Sequence, residues 1–354
     1  LYEAVQSGRD ADIRKLIDKT DAFQRERDGE RFLPDARLRA ELWYNRFDPV
    51  SLLCRINLCF GLLAFVRFVW SLAAGRRRRW VEKIFLVPLI LSAVALTATL
   101  ALRSYTAGHL PLSNGYETMI FVSWCLSLLA LGIGRRFPIA AASGLLMSGF
   151  TLLVASLGMA NPQITPLVPV LRSPWLSLHV SLIMVSYALL GLLMLNGTAA
   201  LALAAAARAG TAERTSRTLA RLRLFGRLLL YPAVFLLTAG IFTGAVWANA
   251  SWGRYWGWDP KEVWALITLI VYALPLHEQS LARFRRPLFF HAYTLWAFAA
   301  VLMTYFGVNY FLGGIHSYGG GFRPGYAAAT VFAAVTAFAL LTVAALIRQR
   351  RMDT

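Results

Sequence analysis

Long apolar segments alternate with short polar ones along most of this chain. Nine apolar runs follow a polar N-terminal part, and each is close to the roughly 20 residues that an α-helix needs to cross a hydrocarbon layer. The runs cover residues 51–73, 84–103, 117–134, 138–158, 174–206, 227–248, 260–276, 288–312 and 325–347. The pattern predicts an all-α fold, a polytopic transmembrane helix bundle of about nine spans.

Residues 1–50 have a different composition, with ten basic and eleven acidic side chains. Apolar residues such as Val5, Ile13 and Leu16 recur at roughly helical spacing, and Pro34 separates this stretch from a second short helix that ends near Phe47. We expect a mixed-charge helical segment outside the cytoplasm. Its charges are typical of a solvated surface, so we assign no chemistry to it.

Composition and charge support the membrane assignment. The 354 residues are 58% hydrophobic and only 15% charged, which excludes an ordinary soluble domain. The net charge of +18 is typical of nucleic-acid binding. Beyond residue 50, however, the basic side chains lie in short loops, so we expect no nucleic-acid partner. The three cysteines have neither CxxC nor Cys/His metal spacing and imply no disulfide or zinc site.

The basic loops predict the topology. They are Arg76–Arg79 with Lys83, Arg135–Arg136, Arg208–Arg227, Arg283–Arg286 and Arg348–Arg351. All five fall on one side if every run crosses once, and the excess of positive charge makes that side cytoplasmic. The N-terminus is then outside and the C-terminus cytoplasmic. Residues 104–116, 161–174, 247–264 and 313–325 lie outside together.

An unusual density of aromatic rings occurs between the sixth and seventh runs. Five tryptophans and one tyrosine fall within Val246–Trp264. We call six residues the aromatic platform: Trp247, Trp252, Tyr255, Trp256, Trp258 and Trp264. Such rings suit a large planar ligand. An interfacial aromatic belt is the alternative, although a belt spreads its rings over many helix ends.

The platform borders a predicted helix start. Asp259, Pro260, Lys261 and Glu262 have the residue types of an N-cap followed by the first three helical positions. Asp259 is expected to cap the helix, and Glu262 to return a hydrogen bond to the N-cap backbone. The platform is therefore predicted to be attached to a rigid helix end.

The segment WGRYWGWDPKEVW resembles the tryptophan-rich "WWD" signature of haem-handling proteins in cytochrome c maturation, above all the CcsA/ResC type of system II. The resemblance covers about residues 84–347. Residues 51–83 resemble the end of a CcsB portion fused upstream, as in CcsBA-type synthases. The chain is therefore expected to have three parts: residues 1–50, residues 51–83, and a CcsA-like domain of residues 84–354 with its WWD loop at 247–264. The start at Leu1, without Met, fits an expected upstream portion.

The five histidines are candidates for chemistry because an imidazole in a membrane protein is costly without a partner. His179 in LHVSLIMVSY and His316 in GIHSY match the two outer histidines of the resembling family. The resemblance implies that both bind haem iron and act in catalysis, as a bis-His site beside the platform. It also implies that His277 binds iron at a second, transmembrane haem site near the cytoplasmic face. His291 lies at the same depth and remains an alternative to His277.

His109 lies in an outer segment that also resembles the family. Two roles are open for its neighbours Asn114 and Glu117: they support the platform or its ligand, or they form a plain loop turn with a helix cap.

Further binding residues follow from the same resemblance. Besides the three histidines, the cofactor-binding residues are expected to be Trp252, Tyr255, Trp256, Trp258, Asp259 and Trp264. The resemblance implies that the cofactor is haem b, held without covalent bonds and serving as both cofactor and substrate.

The function implied is haem delivery and covalent attachment of haem to the CxxCH motif of apocytochrome c, the reaction of a cytochrome c synthase or haem lyase. The implied partners are a CcsB/ResB-type protein or fused portion, apocytochrome c, haem, a thiol reductant system and membrane lipid. The implied location is the cytoplasmic membrane of a bacterium, with the active face outside. A system I WWD protein and a b-type electron-transfer cytochrome remain alternatives. A transporter is disfavoured because no span carries paired carboxylates.

Overall fold

The computed structural model describes residue 6 and residues 10–28, 34–75, 83–156, 162–164, 173–312 and 325–353, and within these residues every regular element is helical. The helices are α1 Asp10–Asp28, α2 Asp35–Phe47, α3 Pro49–Ala74, α4 Leu86–Ala107, α5 Gly115–Gly134, α6 Pro138–Ser156, α7 Pro174–Ala206, α8 Ala212–Trp252, α9 Pro260–Ala273, α10 Pro287–Leu302, α11 Val308–Phe311 and α12 Gly325–Asp353. The all-α prediction is confirmed.

The chain divides into two units, residues 1–47 and 48–354. In the first unit, α1 and α2 lie on either side of the position predicted for the break, Pro34. The Arg25 guanidinium joins them, with hydrogen bonds of 2.9 Å to Asp21 and 2.8 Å to Asp35. All three side chains are about half exposed, so these ion pairs contribute little stability.

The second unit is the predicted bundle, with one helix shorter than predicted. Among the described residues, eight helices are long and apolar enough to cross a membrane, whereas the sequence predicts nine. The run at 260–276 is the exception. It forms only 14 residues of α-helix, α9, before a 3₁₀ turn at Leu274–His277. Pro275 explains the change, because its ring removes a backbone donor and disfavours continued α-helix.

Several predicted basic loops meet at one end of the bundle. Arg214, in the first turns of α8, donates to the Leu72 carbonyl at the end of α3 with a distance of 2.8 Å. Arg348 of α12 donates to the Ala207 carbonyl after α7. Arg223 of α8 forms an ion pair with Glu278, beyond α9. We call this the basic end, and the opposite end of α8 the platform end.

Glycines permit close approach between helices, which matters in a membrane because lipid supplies no hydrophobic driving force for helix pairing. A Cβ on Gly149 of α6 would lie 2.6 Å from the Leu58 backbone nitrogen of α3. Beside this contact, the buried Asn57 amide donates to Ser92 at 2.7 Å and to Ser148 at 2.9 Å. These bonds connect α3, α4 and α6 inside the bundle.

A buried ion pair joins α4 and α5. Arg103 Nε donates to Glu117 Oε1 at 2.8 Å, and both side chains are 1% exposed. Arg103 also donates to the Pro162 carbonyl, while the Ser113 N–H and hydroxyl donate to Glu117. Each charge therefore has several partners, as a buried charge requires. Glu117, a candidate for supporting the ligand, instead forms part of the helix packing.

This pair generates a prediction about stability. Arg103→Met should destabilise the protein by about 3–5 kcal/mol because it leaves the Glu117 carboxylate buried without its cation. The double change Arg103→Met with Glu117→Leu should cost less than Arg103→Met alone, since no uncompensated charge remains. Unfolding in detergent micelles measures both. If the double variant is the less stable one, the pair does not act as a unit.

Candidate functional site: an aromatic platform above the α7–α8 contact

The rings of the aromatic platform do not all lie on one surface. Helix α8 continues through Trp247 to Trp252, beyond the predicted run, and stops at Gly253, whose φ of 72° is left-handed. Trp247 is 2% exposed and meets Trp252 edge to face at 4.8 Å between ring centroids. Trp247 is therefore buried in the bundle, where its ring packs against that of Trp252.

The exposed rings come from the loop after α8. Tyr255 is 61% exposed and Trp258 is 71% exposed, while Trp256 is partly buried. Trp256 and Trp258 meet at 5.9 Å between centroids with their planes 87° apart. Exposed apolar rings of this size on a short loop are typical of a binding surface.

The predicted capping box at the start of α9 is confirmed. The Asp259 carboxylate accepts from the Lys261 N–H at 3.1 Å, and Glu262 returns a bond to the Asp259 N–H at 3.2 Å. Pro260 occupies the first helical turn, as expected. Glu262 makes a further bond, because the same oxygen accepts from the Gly257 N–H at 2.8 Å. One carboxylate oxygen thus holds the backbone on both sides of Trp258.

Trp258 itself has an unusual backbone conformation. Its φ is 55°, in the left-handed region, which costs a residue with a Cβ about 1–2 kcal/mol. Hydrogen bonds to a charged acceptor contribute about 1.5–3 kcal/mol each. The two bonds to Glu262 are therefore sufficient to offset the strain. Strain of this kind is concentrated at functional sites.

Trp264 lies one turn further along α9 and is joined to the helical segment that follows α10. Its carbonyl accepts from the Thr268 hydroxyl at 2.8 Å and from the Thr304 hydroxyl at 3.1 Å. Thr304 belongs to a π-helical segment, Met303–Gly307, between α10 and α11. Such segments are frequent at functional sites.

A second bond connects α9 with α11. The Lys261 ammonium donates to the Asn309 side-chain oxygen at 3.0 Å, and the Asn309 amide donates to the Tyr305 carbonyl at 2.6 Å. Asn309 lies seven residues before His316. His316 is outside the described residues. Helix α11, which precedes His316 in the chain, is thus hydrogen-bonded to the first turn of α9.

His179 lies against α8 below the platform. Its Nδ1 is 2.6 Å from the Gly240 carbonyl oxygen, and a Cβ on Gly244 would fall 2.6 Å from the ring. A carbonyl can only accept, so Nδ1 carries a proton. In the neutral ring Nε2 then has the lone pair, which is the usual arrangement of a metal-ligating histidine. Gly244 precedes Trp252 by about 12 Å of helix.

His277 lies at the basic end. It is the last residue of the 3₁₀ turn after α9 and is exposed. The next residue, Glu278, forms ion pairs with Arg223 and Arg227 of α8. From Arg223 to Gly244 the helix rises about 30 Å. His277 and His179 therefore cannot share one haem.

The other two histidines have local or buried partners. His291 is fully buried in α10, and its Nε2 is 3.2 Å from the Leu219 carbonyl of α8. His109 lies beside its own neighbour, with Nδ1 2.9 Å from the Leu110 carbonyl. Asn114 caps α5 through the Glu117 N–H, the simpler of the two roles expected for it.

Sequence reasoning missed several residues that shape the site. Gly240 and Gly244 provide the surface against which His179 lies, and Glu278 anchors the turn that carries His277. The only sequence signal for the glycines was their four-residue spacing, a common feature of close helix contacts in membranes. The second bond from Glu262 had no sequence signal, because a capping box accounts for Glu262 without it.

The chain is similar in sequence to known proteins of one family. The family model described as cytochrome C assembly protein matches residues 112–316. Protein NrfI of Wolinella succinogenes is 39% identical over 309 residues, which are 86% of this chain and 34% of that protein. The chain thus spans about a third of the length of NrfI.

Two further relatives are both named cytochrome c biogenesis protein CcsA. That of Synechococcus sp. strain WH7803 is 35% identical over 319 residues, covering 77% of this chain and 98% of the relative. That of Prochlorococcus marinus strain NATL1A is 34% identical over 309 residues, covering 77% and 95%. These relatives do not favour the system I alternative.

The matched segment begins just before α5 and includes His179, the platform and His316. The helices and the CcsA relatives make the chain a multi-pass membrane protein. Proteins of this type act in cytochrome c maturation, with haem and apocytochrome. This chain belongs to the cytochrome c assembly protein family, as a CcsA-type protein of cytochrome c biogenesis.

Proposed function

We propose that this chain is the haem-handling part of a cytochrome c synthase of the cytoplasmic membrane, with the platform end outside. The observation that carries the proposal is the pair of exposed rings, Tyr255 and Trp258, at the end of the helix against which His179 packs. In this proposal, the synthase attaches haem to the CxxCH motif of apocytochrome c. The proposal includes three further components: a CcsB-type portion, a thiol reductant and a bacterial membrane.

His179 and His316 hold the iron of haem b at the outer site. The hydrogen bond from His179 Nδ1 to Gly240 supports this role, since it orients the ring and fixes the tautomer with a lone pair on Nε2. With haem bound, the two imidazoles would supply strong-field nitrogen ligands to its iron and so hold it at the site.

The platform supplies flat contact area and leaves an edge of the substrate accessible. In the reaction, each cysteine S–H adds across one haem vinyl group, sulfur to one carbon and hydrogen to the other, with no net oxidation. The chain's residues contribute by holding one reactant in a fixed orientation for the incoming thiols. Proximity of this kind accounts for a large share of many enzymatic rates.

His277 serves a separate haem site at the basic end, on the cytoplasmic face, with a second ligand from the CcsB-type portion. Its exposure and the anchoring of the adjacent Glu278 by two arginines support this assignment. His291 is assigned a structural role because it is buried and bonded to the α8 backbone.

Coexpression with an apocytochrome tests the proposed function. The full-length protein should produce cytochrome with covalently bound haem, visible as haem staining that survives denaturation. A substrate in which both motif cysteines are serine is the control and should remain unstained. Bound haem in the membrane protein without any covalent product would favour the b-type cytochrome alternative.

The outer ligands generate a prediction. His179→Gly and His316→Gly should each abolish covalent product, and added imidazole should restore part of it by occupying the vacated ligand position. The low-spin absorption spectrum of the purified protein reports the ligation directly. His109→Gly is the matched control and should behave as wild type. Unchanged haem content in both single variants would contradict the bis-His assignment.

Gly244 provides a test that leaves both ligands in place. Gly244→Ala puts a methyl group 2.6 Å from His179 and should displace the ring, at a cost of about 1–3 kcal/mol in stability. Haem content of the outer site should fall with it. Adding His179→Ala should restore much of the stability but no haem. Gly132→Ala, where a Cβ meets nothing within 4 Å, is the control.

His277 should control the supply of haem to the outer site. If haem passes from the basic end to the platform end, His277→Ala leaves the outer ligands intact yet lowers outer haem and covalent product together. Gln279→Ala, at an exposed neighbouring position, is the control. Loss of only the inner haem signal, with normal outer haem, would show two independent sites. Normal loading at both sites would remove His277 from the mechanism.

A further inference from the structure

Trp258 combines three properties that rarely occur together. It is the bulkiest residue type, it is 71% exposed, and its backbone is left-handed with φ 55°. At Gly253, another left-handed position of the same loop, the chain carries the residue that adopts this conformation without strain. A side chain with so little burial does not repay backbone strain through packing, so the position requires another explanation.

Glu262 accepts the hydrogen bonds that hold Trp258 in its strained backbone conformation. Its Oε2 accepts from the Gly257 N–H at 2.8 Å and from the Asp259 N–H at 3.2 Å. N–H groups on either side of a left-handed residue converge on one anionic acceptor, as in a backbone nest. A capping box needs only the bond to Asp259, so the bond to Gly257 goes beyond helix capping.

We propose that Glu262 is a positioning residue that holds the Trp258 backbone in its left-handed conformation and thereby presents the indole ring at the aromatic platform. The proposal rests on the proposed function, in which the platform binds haem. Glu262 has no contact with the substrate in this role. It acts through the orientation of one ring, which stands edge-on to Trp256.

An interfacial anchor is the competing explanation for an exposed tryptophan in a membrane protein. An anchor needs only a ring at the right depth and is indifferent to φ. The left-handed conformation sets the direction of the Cα–Cβ bond, and with it the direction of the ring. The two explanations therefore differ in what happens when the strain is released but the helix cap remains.

The first experiment measures the thermal midpoint of the purified full-length protein without haem. Trp258→Gly should unfold about 2 °C or more above Trp258→Ala, because both lose the ring but only glycine relieves the left-handed strain. At a position with negative φ, the alanine variant is expected to be the more stable of the two. Equal midpoints, or a more stable alanine variant, would overturn the backbone part of the proposal.

The second experiment is a double-mutant cycle on outer-site haem. Glu262→Ala should lower haem occupancy about tenfold, the effect of losing one well-oriented ring contact. Glu262→Gln keeps an oxygen that accepts both N–H bonds and should restore most of it. In a Trp258→Gly background, Glu262→Ala should produce no further loss, since the ring that it positions is absent.

A matched control is Glu213→Ala, which removes another first-turn glutamate, at the start of α8 and far from the platform. It should leave haem occupancy unchanged. Additive losses from Glu262→Ala and Trp258→Gly would overturn the positioning role, even with normal haem in the wild type. A wild-type protein without outer haem would overturn the proposed function instead, while the comparison of thermal midpoints would still decide the backbone claim.

Discussion

Close packing of α7 against α8 is the constraint on which the rest of the site depends. Lipid offers no hydrophobic advantage to helix pairing, so the contact relies on van der Waals fit and on glycines that let the partner approach. Gly240 accommodates Ile183, and Gly244 accommodates the His179 ring. The same contact gives the imidazole a carbonyl acceptor. Helix packing and the orientation of the His179 ring are therefore one arrangement, and a methyl group added at Gly244 would disturb both.

Local rules of helix formation are broken in the parts of the bundle where chemistry is proposed. The loop after α8 contains a left-handed tryptophan, and the segment before α11 is π-helical. Glu262 accepts hydrogen bonds from the backbone on both sides of the tryptophan. The Thr304 hydroxyl of the π-helical segment donates to the Trp264 carbonyl of α9. Sequences usually agree with their fold at every level, and the exceptions tend to mark functional positions.

Helix α8 sets the distance between the two proposed haem sites. It is a single helix of 41 residues with one internal proline, Pro232. Its first half carries the arginines that bind Glu278, and its second half carries the glycines beside His179. The two sites are thus about 30 Å apart along one helix. Thermal motion within either site does not bridge this distance.

The sequence alone determined the helical membrane architecture and the capping box at Asp259, because long apolar runs and capping residues act through neighbours in the chain. It also indicated His179 and the platform through the resemblance. Tertiary structure decided what local rules do not contain. It buried Trp247 and joined His179 to Gly240, a residue 61 positions away. These outcomes depend on which surfaces meet when helices pack, and that choice is made by atoms distant in the chain.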